Sequence, residues 1–388
     1  MEELDQVSPK NPVWLVSDTC HSSVVNSIGF REIGLPDDFP GVEKAPATGK
    51  PTGGFVTDQS HFSASRRIFA SLKKEDIKDL IEKVCHAAIG RGVTTLHAMD
   101  GSPDSDRVFM KVLGCIPEMP LKIIPYFQTM DVERVLGLGL PRIGGCLTLD
   151  GAWPEHTVAL MEPYHDLPHS KGILFYRDEQ VNGFVRKAHE ADLQIAMHAI
   201  GDAAIEQLLR SYEDVMEMVP RADHRHRIEH FSLPLNDHIE RAKNLGLTAA
   251  VQPMFSYEWG GNQGAYVQYL GEERAGRIEN FRALLDHKMN ICGGSDSPVT
   301  PVNPLLGIHA AVNNPFFDHR ITVDEAIRLF TYNGAYAAFE EKDKGSIEVG
   351  KSADLVVLSE NPRTVDSEKI RDIGVIMTLV DGQIVYEA

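Results

Sequence analysis

Polar side chains fall at the C-terminal ends of successive apolar, strand-like runs in this chain. They are His97, Cys146 or Asp150, His198, His230 in His226-Arg-Ile-Glu-His, Gln252, and Asp296 in Gly293-Gly-Ser-Asp-Ser-Pro. Two histidines, a carboxylate and a thiolate brought to one rim make the donor set that borderline metals such as zinc favour. An ion held there lowers the pKa of a water to roughly 7. A nearby aspartate can then take the proton as hydroxide attacks a carbonyl or ring carbon. Each residue also has a plainer reading. A lone strand-end histidine is more often a packing or hydrogen-bonding group, Cys146 alone is a small buried hydrophobe, and Asp296 alone is a cap for the next segment. Their shared position at strand ends unites them. His224, His226, His165 and His169 sit in polar surroundings and read as solvated loop residues.

For these groups to meet, their strands must be neighbours in one parallel sheet. The clearest unit is Leu193–Asp202, a buried strand ending at His198 that turns at Gly201 into a helix with Ile205, Leu208, Leu209, Tyr212, Val215 and Met216 on one face. Strand candidates alternating with helical segments are 93–99, 121–127, 146–149, 193–198, 227–231, 247–252 and 289–293. These are seven, and a closed parallel barrel with its chemistry on the C-terminal rim needs eight. Upstream, residues 1–72 read as a loop-rich insertion with one short strand candidate at 12–17, and a helical stripe starts at Lys74. The barrel region spans 73–343 and closes after a helix at 323–332. Residues 344–388 read as a small β element, with Asp381-Gly382 as a hairpin turn.

The 388 residues carry a formal charge of −18, which excludes the basic footprint that nucleic acid or an anionic membrane requires. Five scattered cysteines with no CxxC pair suit a reducing, cytoplasmic compartment. The acidic start has no signal-peptide core, and no uncharged apolar run of about 18 residues occurs.

Met197-His-Ala-Ile-Gly-Asp-Ala-Ala, His226-Arg-Ile-Glu-His, Val251-Gln-Pro, Gly294-Ser-Asp-Ser-Pro-Val and 345–358, in this order, resemble the amidohydrolase superfamily, in particular its amidohydrolase family 3 branch. Segment 18–27 and the stretch from Leu149 to Tyr164 resemble further parts of that branch. The resemblance implies a (β/α)8 TIM barrel with a small β-sandwich, and metal-dependent hydrolysis of C–N bonds in amides, N-acyl groups or cyclic amides. His198 falls at the strand-five ligand, His230 at the strand-six ligand, and Asp296 at the strand-eight aspartate that binds metal and shuttles the proton. The strand-one His-x-His is absent, so the resemblance implies a barrel lacking strand one and a sandwich remnant at the C-terminus, in a form that is N-terminally truncated or whose missing part another polypeptide supplies. Many relatives carry a carboxylated lysine on strand four where this chain has Cys146; relatives resembling D-aminoacylases use a cysteine there. A Cys146/His198/His230 set would hold one Zn2+, with Asp296 as general base and then general acid. His21, Asp150, Tyr164 and Gln252 are candidates for orienting a small-molecule substrate. A homo-oligomer would cover the open edges. The competing readings are a catalytically inactive homologue acting as a binding or assembly subunit, and an isomerase or deaminase on the same barrel.

Overall fold

The computed structural model describes residues 1–55, 57–100 and 106–388. The first strands are β1 (Trp14–Val16), β2 (Ser23–Val25), β3 (Val42–Lys44) and β4 (Pro51–Phe55), which form an antiparallel sheet in the order β1-β2-β4-β3. The sequence reading held this region to be loop-rich, with one strand. Three of its four strands have only three residues, too few to show an alternating pattern. The helix Asp58–Ser71 was also missed, because its apolar residues are sparse; a capping box between Thr57 and Ser60 starts it.

Seven strands follow: β5 (Thr95–Asp100), β6 (Lys122–Phe127), β7 (Arg142–Thr148), β8 (Gln194–Ala199), β9 (Arg227–His230), β10 (Thr248–Val251) and β11 (Asn290–Gly293). They form one parallel sheet in chain order, and helices cross between consecutive strands, as parallel pairing requires. Side chains alternate along each strand. On β8, Ile195, Met197 and Ala199 enter the core packed against Val181, Phe184, Ile205, Leu208 and Tyr212 of the flanking helices. Gln194, Ala196 and His198 therefore face the other side, the inside of the curved sheet. All six β8 residues are buried, so both faces of the central strands are covered. At the edge, all six residues of β5 are partly exposed. Among the described residues no strand pairs with the outer edge of β5 or of β11.

Strand β7 starts four residues before the sequence reading placed it. Gly144 and Gly145 hid it: both have left-handed φ, 98° and 57°, and the β7–β8 register shifts between Ile143 and Leu147. The expected helix at 323–332 is two helices, Val323–Leu329 and Tyr332–Ala337. The tail forms an antiparallel sheet of β12 (Leu355–Leu358), β13 (Val375–Val380) and β14 (Gln383–Glu387). Asp381 and Gly382 turn β13 into β14 with φ of 49° and 78°, the paired positive angles of a hairpin turn. Among the described residues no helix is long and apolar enough to cross a membrane.

Candidate functional site

His198 ends the run of inward residues on β8, and in register it pairs with Thr148 of β7 and Glu229 of β9. Strict alternation would place His230, two residues after the core residue Ile228, on the helix side of β9. Left-handed φ at His230 (72°) and Phe231 (50°) breaks that alternation. The His230 ring consequently stands 4.4 Å from the His198 ring, nearly perpendicular to it. Asp296, also left-handed at φ 52°, comes from the turn after β11 and brings Oδ2 to 4.0 Å from His230 Nε2. Left-handed non-glycine residues at two of the three positions mark backbone that is bent to aim side chains.

The residues beneath fix how the histidines present their nitrogens. His230 Nδ1 donates to Gln252 Oε1 at 2.9 Å, while Gln252 Nε2 donates to the Ala250 carbonyl at 3.0 Å. This leaves His230 Nε2 as an acceptor that faces Asp296. Burial and the neighbouring His198 ring push the His230 pKa down to about 4, so its imidazole is neutral and able to bind a cation at neutral pH. Asp150 lies 3.3 Å from His198 Nδ1. Its carboxylate accepts from the backbone N–H of Ile200, Gly201 and Ala159 at 2.8 to 3.0 Å. Burial raises its pKa to about 7 against those three donors. A carboxylate behind one histidine and an amide behind the other is the arrangement that orients metal-binding imidazoles.

The other sequence candidates lie elsewhere. His21, on the turn between β1 and β2, reaches over the rim, with its ring 5.9 Å from His198 and 5.6 Å from Phe62. Tyr164 is buried, and its hydroxyl donates to the Val158 carbonyl at 3.0 Å, so it supports the loop after β7. Asp150 and Gln252 are buried at 0% and 5% exposure, beneath the histidines rather than on the open rim. Cys146 follows the Gly144-Gly145 kink; its carbonyl accepts from Gln128 Nε2 at 2.7 Å. Burial together with the charges of Asp296 and Glu229 pushes its thiol pKa well above the ordinary value, so the thiol is protonated in this pocket. His97 lies inside the curved sheet, where Arg227 Nη1 donates to its Nδ1 at 2.8 Å. Arg227 also pairs with Glu229 through two bonds of 2.8 and 2.9 Å, and this buried ion pair occupies the interior below the site. Among the described residues no group of three or more His, Cys, Asp or Glu side chains forms a ready metal cluster.

His224 and His226 correct the expectation of solvated loop residues: both are buried, at 3% and 0%. They pack with His189 just before β9, where His189 Nδ1 meets His226 Nε2 at 2.9 Å. His165 and His169 are exposed, as expected. Sequence reasoning missed Cys20, whose thiol pKa is raised by burial and then by the Asp296 charge, and Phe255, whose ring stacks 6.0 Å from His230. Neither lies at the end of a recognisable strand.

The profile of the amidohydrolase family matches residues 1–386. The chain is similar to the Bacillus subtilis (strain 168) protein YtcJ, at 29% identity over 99% of this chain and 76% of that protein. It is also similar to N-substituted formamide deformylase of Arthrobacter pascens, at 26% identity over 99% of this chain and 75% of that one. Among solved structures, an uncharacterised metal-dependent hydrolase from Pyrococcus horikoshii OT3 superposes with a TM-score of 0.76 at 25% identity, covering 94% of this chain and 74% of the other.

Proposed function

Since the chain belongs to the amidohydrolase family, we propose that it is a metal-dependent hydrolase that cleaves a C–N bond other than a peptide bond, in an amide, N-acyl or cyclic amide substrate. The observation that carries this reading is the convergence of His198, His230 and Asp296 on the C-terminal rim of the sheet, with ring centroids 4.4 Å apart and 4.0 Å between His230 Nε2 and Asp296 Oδ2. That last gap is within the span of two zinc–ligand bonds of roughly 2.1 Å each. His198, His230 and Asp296 are thus the residues that would hold a divalent ion, most simply Zn2+, and Cys146 is the further candidate ligand, once a cation offsets the cost of its thiolate. When bound, the ion would supply Lewis-acid polarisation of the substrate carbonyl and lower the pKa of a water beside it to about 7.

The remaining steps belong to side chains. Asp296 is the most open of the three, with its side chain 35% exposed, and it accepts a proton from the attacking water. The water oxygen bonds to the carbonyl carbon, the C–N bond breaks, and Asp296 returns that proton to the leaving nitrogen. Gln252 and Asp150 hold the imidazoles, and His21 orients the substrate from above. The deformylase likeness supports N-formyl and other N-acyl amines as the first substrates to screen.

Elemental analysis of the purified chain, beside His198→Ala and Cys146→Ala, tests this reading. About one ion per chain that is lost in His198→Ala, with amine release from an N-acyl amine, supports it. A chain without metal and without amine release overturns it and favours a non-catalytic member of the family. Retention of the ion in Cys146→Ala removes Cys146 from the ligand set.

A further inference from the structure

The Glu155 side chain ties the turn that carries His21 to the loop after β7. Glu155, on the loop after β7, accepts through the single atom Oε1 from Thr19 Oγ1 at 2.7 Å, from Ser22 Oγ at 2.8 Å and from Ser17 Oγ at 3.4 Å. The turn is also shaped from within. Ser17 N donates to the Ser22 carbonyl at 3.0 Å and Cys20 N to the Ser17 carbonyl at 2.9 Å, and Cys20 is driven to a left-handed φ of 59°. Thr19 Oγ1 in turn accepts from the backbone N–H of His21 at 3.3 Å. The same hydroxyl therefore touches both the carboxylate and the residue whose ring lies 5.9 Å from His198.

We propose that Glu155 is a positioning residue, a latch that ties strap 17–22 across the rim and so fixes His21 above His198. The Ser17 hydroxyl, 2.9 Å from Thr19 Oγ1, buttresses Thr19 and reaches Glu155 only at 3.4 Å, while the two short bonds from Thr19 and Ser22 to the Glu155 carboxylate are charge-assisted and stronger than neutral ones. They join parts of the chain more than 130 positions apart, Ser22 and Glu155 being separated by 133. Within the strap the backbone bonds are local, so no other side-chain contact described for Ser17, Thr19 or Ser22 reaches the barrel. With the latch made, the His21 ring is held 5.9 Å from the His198 ring; with it broken, the strap lifts, and substrate loses the group that approaches from above. The role assigned to His21 rests on the proposed hydrolase, whereas the latch itself does not.

Cys20 is a built-in reporter, half-buried in the strap and distinct from the buried Cys85 and Cys115. Its alkylation by iodoacetamide is followed by peptide mass spectrometry in the parent chain, in Glu155→Ala, in the triple variant Ser17→Ala/Thr19→Val/Ser22→Ala, and in the two combined. Opening of the strap is expected to speed Cys20 alkylation about tenfold in either variant, with Cys85 and Cys115 unchanged. The combined variant should be no faster than Glu155→Ala alone, because the triple substitution removes bonds that Glu155→Ala has already lost. The Glu155 charge itself raises the Cys20 pKa, so its removal alone adds reactivity. The triple variant keeps that charge, and acceleration there reports opening. Unchanged alkylation in the triple variant overturns the latch, as does additivity in the combination. If Glu155→Ala does not fold, the triple variant decides by itself. None of these readouts needs metal or turnover, so they stand whether or not the hydrolase reading does. In an active enzyme both variants should raise KM more than they lower kcat.

Discussion

Gln252 does for His230 what no ligand can do for itself: its Oε1 takes the Nδ1 proton, at 2.9 Å, and so leaves Nε2 to face Asp296. Removing such a support typically costs roughly ten- to a hundredfold in metal affinity. Gln252→Ala should therefore, with a smaller fall in Tm than truncation of Asp150 causes, lose its ion to a chelator at concentrations that leave the parent loaded. Equal retention by the two would show that Gln252 is packing only. Asp150 is the poorer test, because its truncation strands three buried N–H groups and destabilises the fold along with the site. This pair also shows what was legible in the sequence. His198, His230 and Asp296 stand out because each ends an apolar run. Asp150 and Gln252 were singled out too, but as substrate groups. In the structure they bond to residues 159, 200, 201, 230 and 250, and spacing carries no information about which backbone group a side chain will meet.

The elements of the sheet were legible wherever apolar residues run uninterrupted, which is why all seven parallel strands were placed in order. The reading slipped at β7, where two glycines interrupt the run, and in the N-terminal sheet, where three-residue strands are shorter than any period. Gly144 shows why glycine is needed there. With φ at 98°, an added Cβ would stand 2.1 Å from the Ala196 carbonyl oxygen of the neighbouring strand. That backbone atom is fixed in the β8 ladder and cannot retreat. Gly144→Ala is expected to cost more than about 3 kcal/mol, or to prevent folding, since a strained φ and a backbone clash add together. Gly139 is the control: its φ is also left-handed, at 67°, but nothing lies within 4 Å of the added Cβ. Gly139→Ala should cost only about 1 kcal/mol. Urea midpoints of the two variants compare them directly, and equal losses would refute the assignment of the clash to β7–β8 packing.

Among the buried titrating groups of the molecule, two centres make stability respond to pH in opposite directions. At the start of β9, His224 Nδ1 accepts from the His226 N–H at 2.9 Å, and His226 Nδ1 accepts from the Ile195 N–H at 3.0 Å. Protonating either ring breaks a backbone bond, and burial lowers the His224 pKa from 6.5 to about 4. Between those values the unfolded chain binds the proton and the native one does not, so stability is full above pH 6.5 and falls as pH drops toward 4, by about 3 kcal/mol from His224 alone. Glu279 works from the other side. It lies beside Ser232, two residues after His230, and Ser256, in the helix Pro253–Trp259 that follows Gln252, and burial raises its pKa from 4.5 to about 8. Here the native state holds the proton that the unfolded chain has released, so its stabilising effect is complete below pH 4.5 and is lost as pH rises through 8. Above pH 6.5 the histidine centre is silent; Asp150, raised by burial to about 7, has lost most of its share by neutral pH, and the remaining loss toward pH 8 belongs chiefly to Glu279. Glu279→Gln keeps the shape without the titration. It should remove the decline between about pH 7 and 8 and, between pH 4.5 and 6.5 where Glu279 opposes His224, steepen the fall toward acid in equilibrium urea unfolding. An alkaline decline that persists in Glu279→Gln would place its source elsewhere among the chain's carboxylates, and the segments around Ser232 and Ser256 would then owe their arrangement to packing instead of to a neutral carboxylic acid.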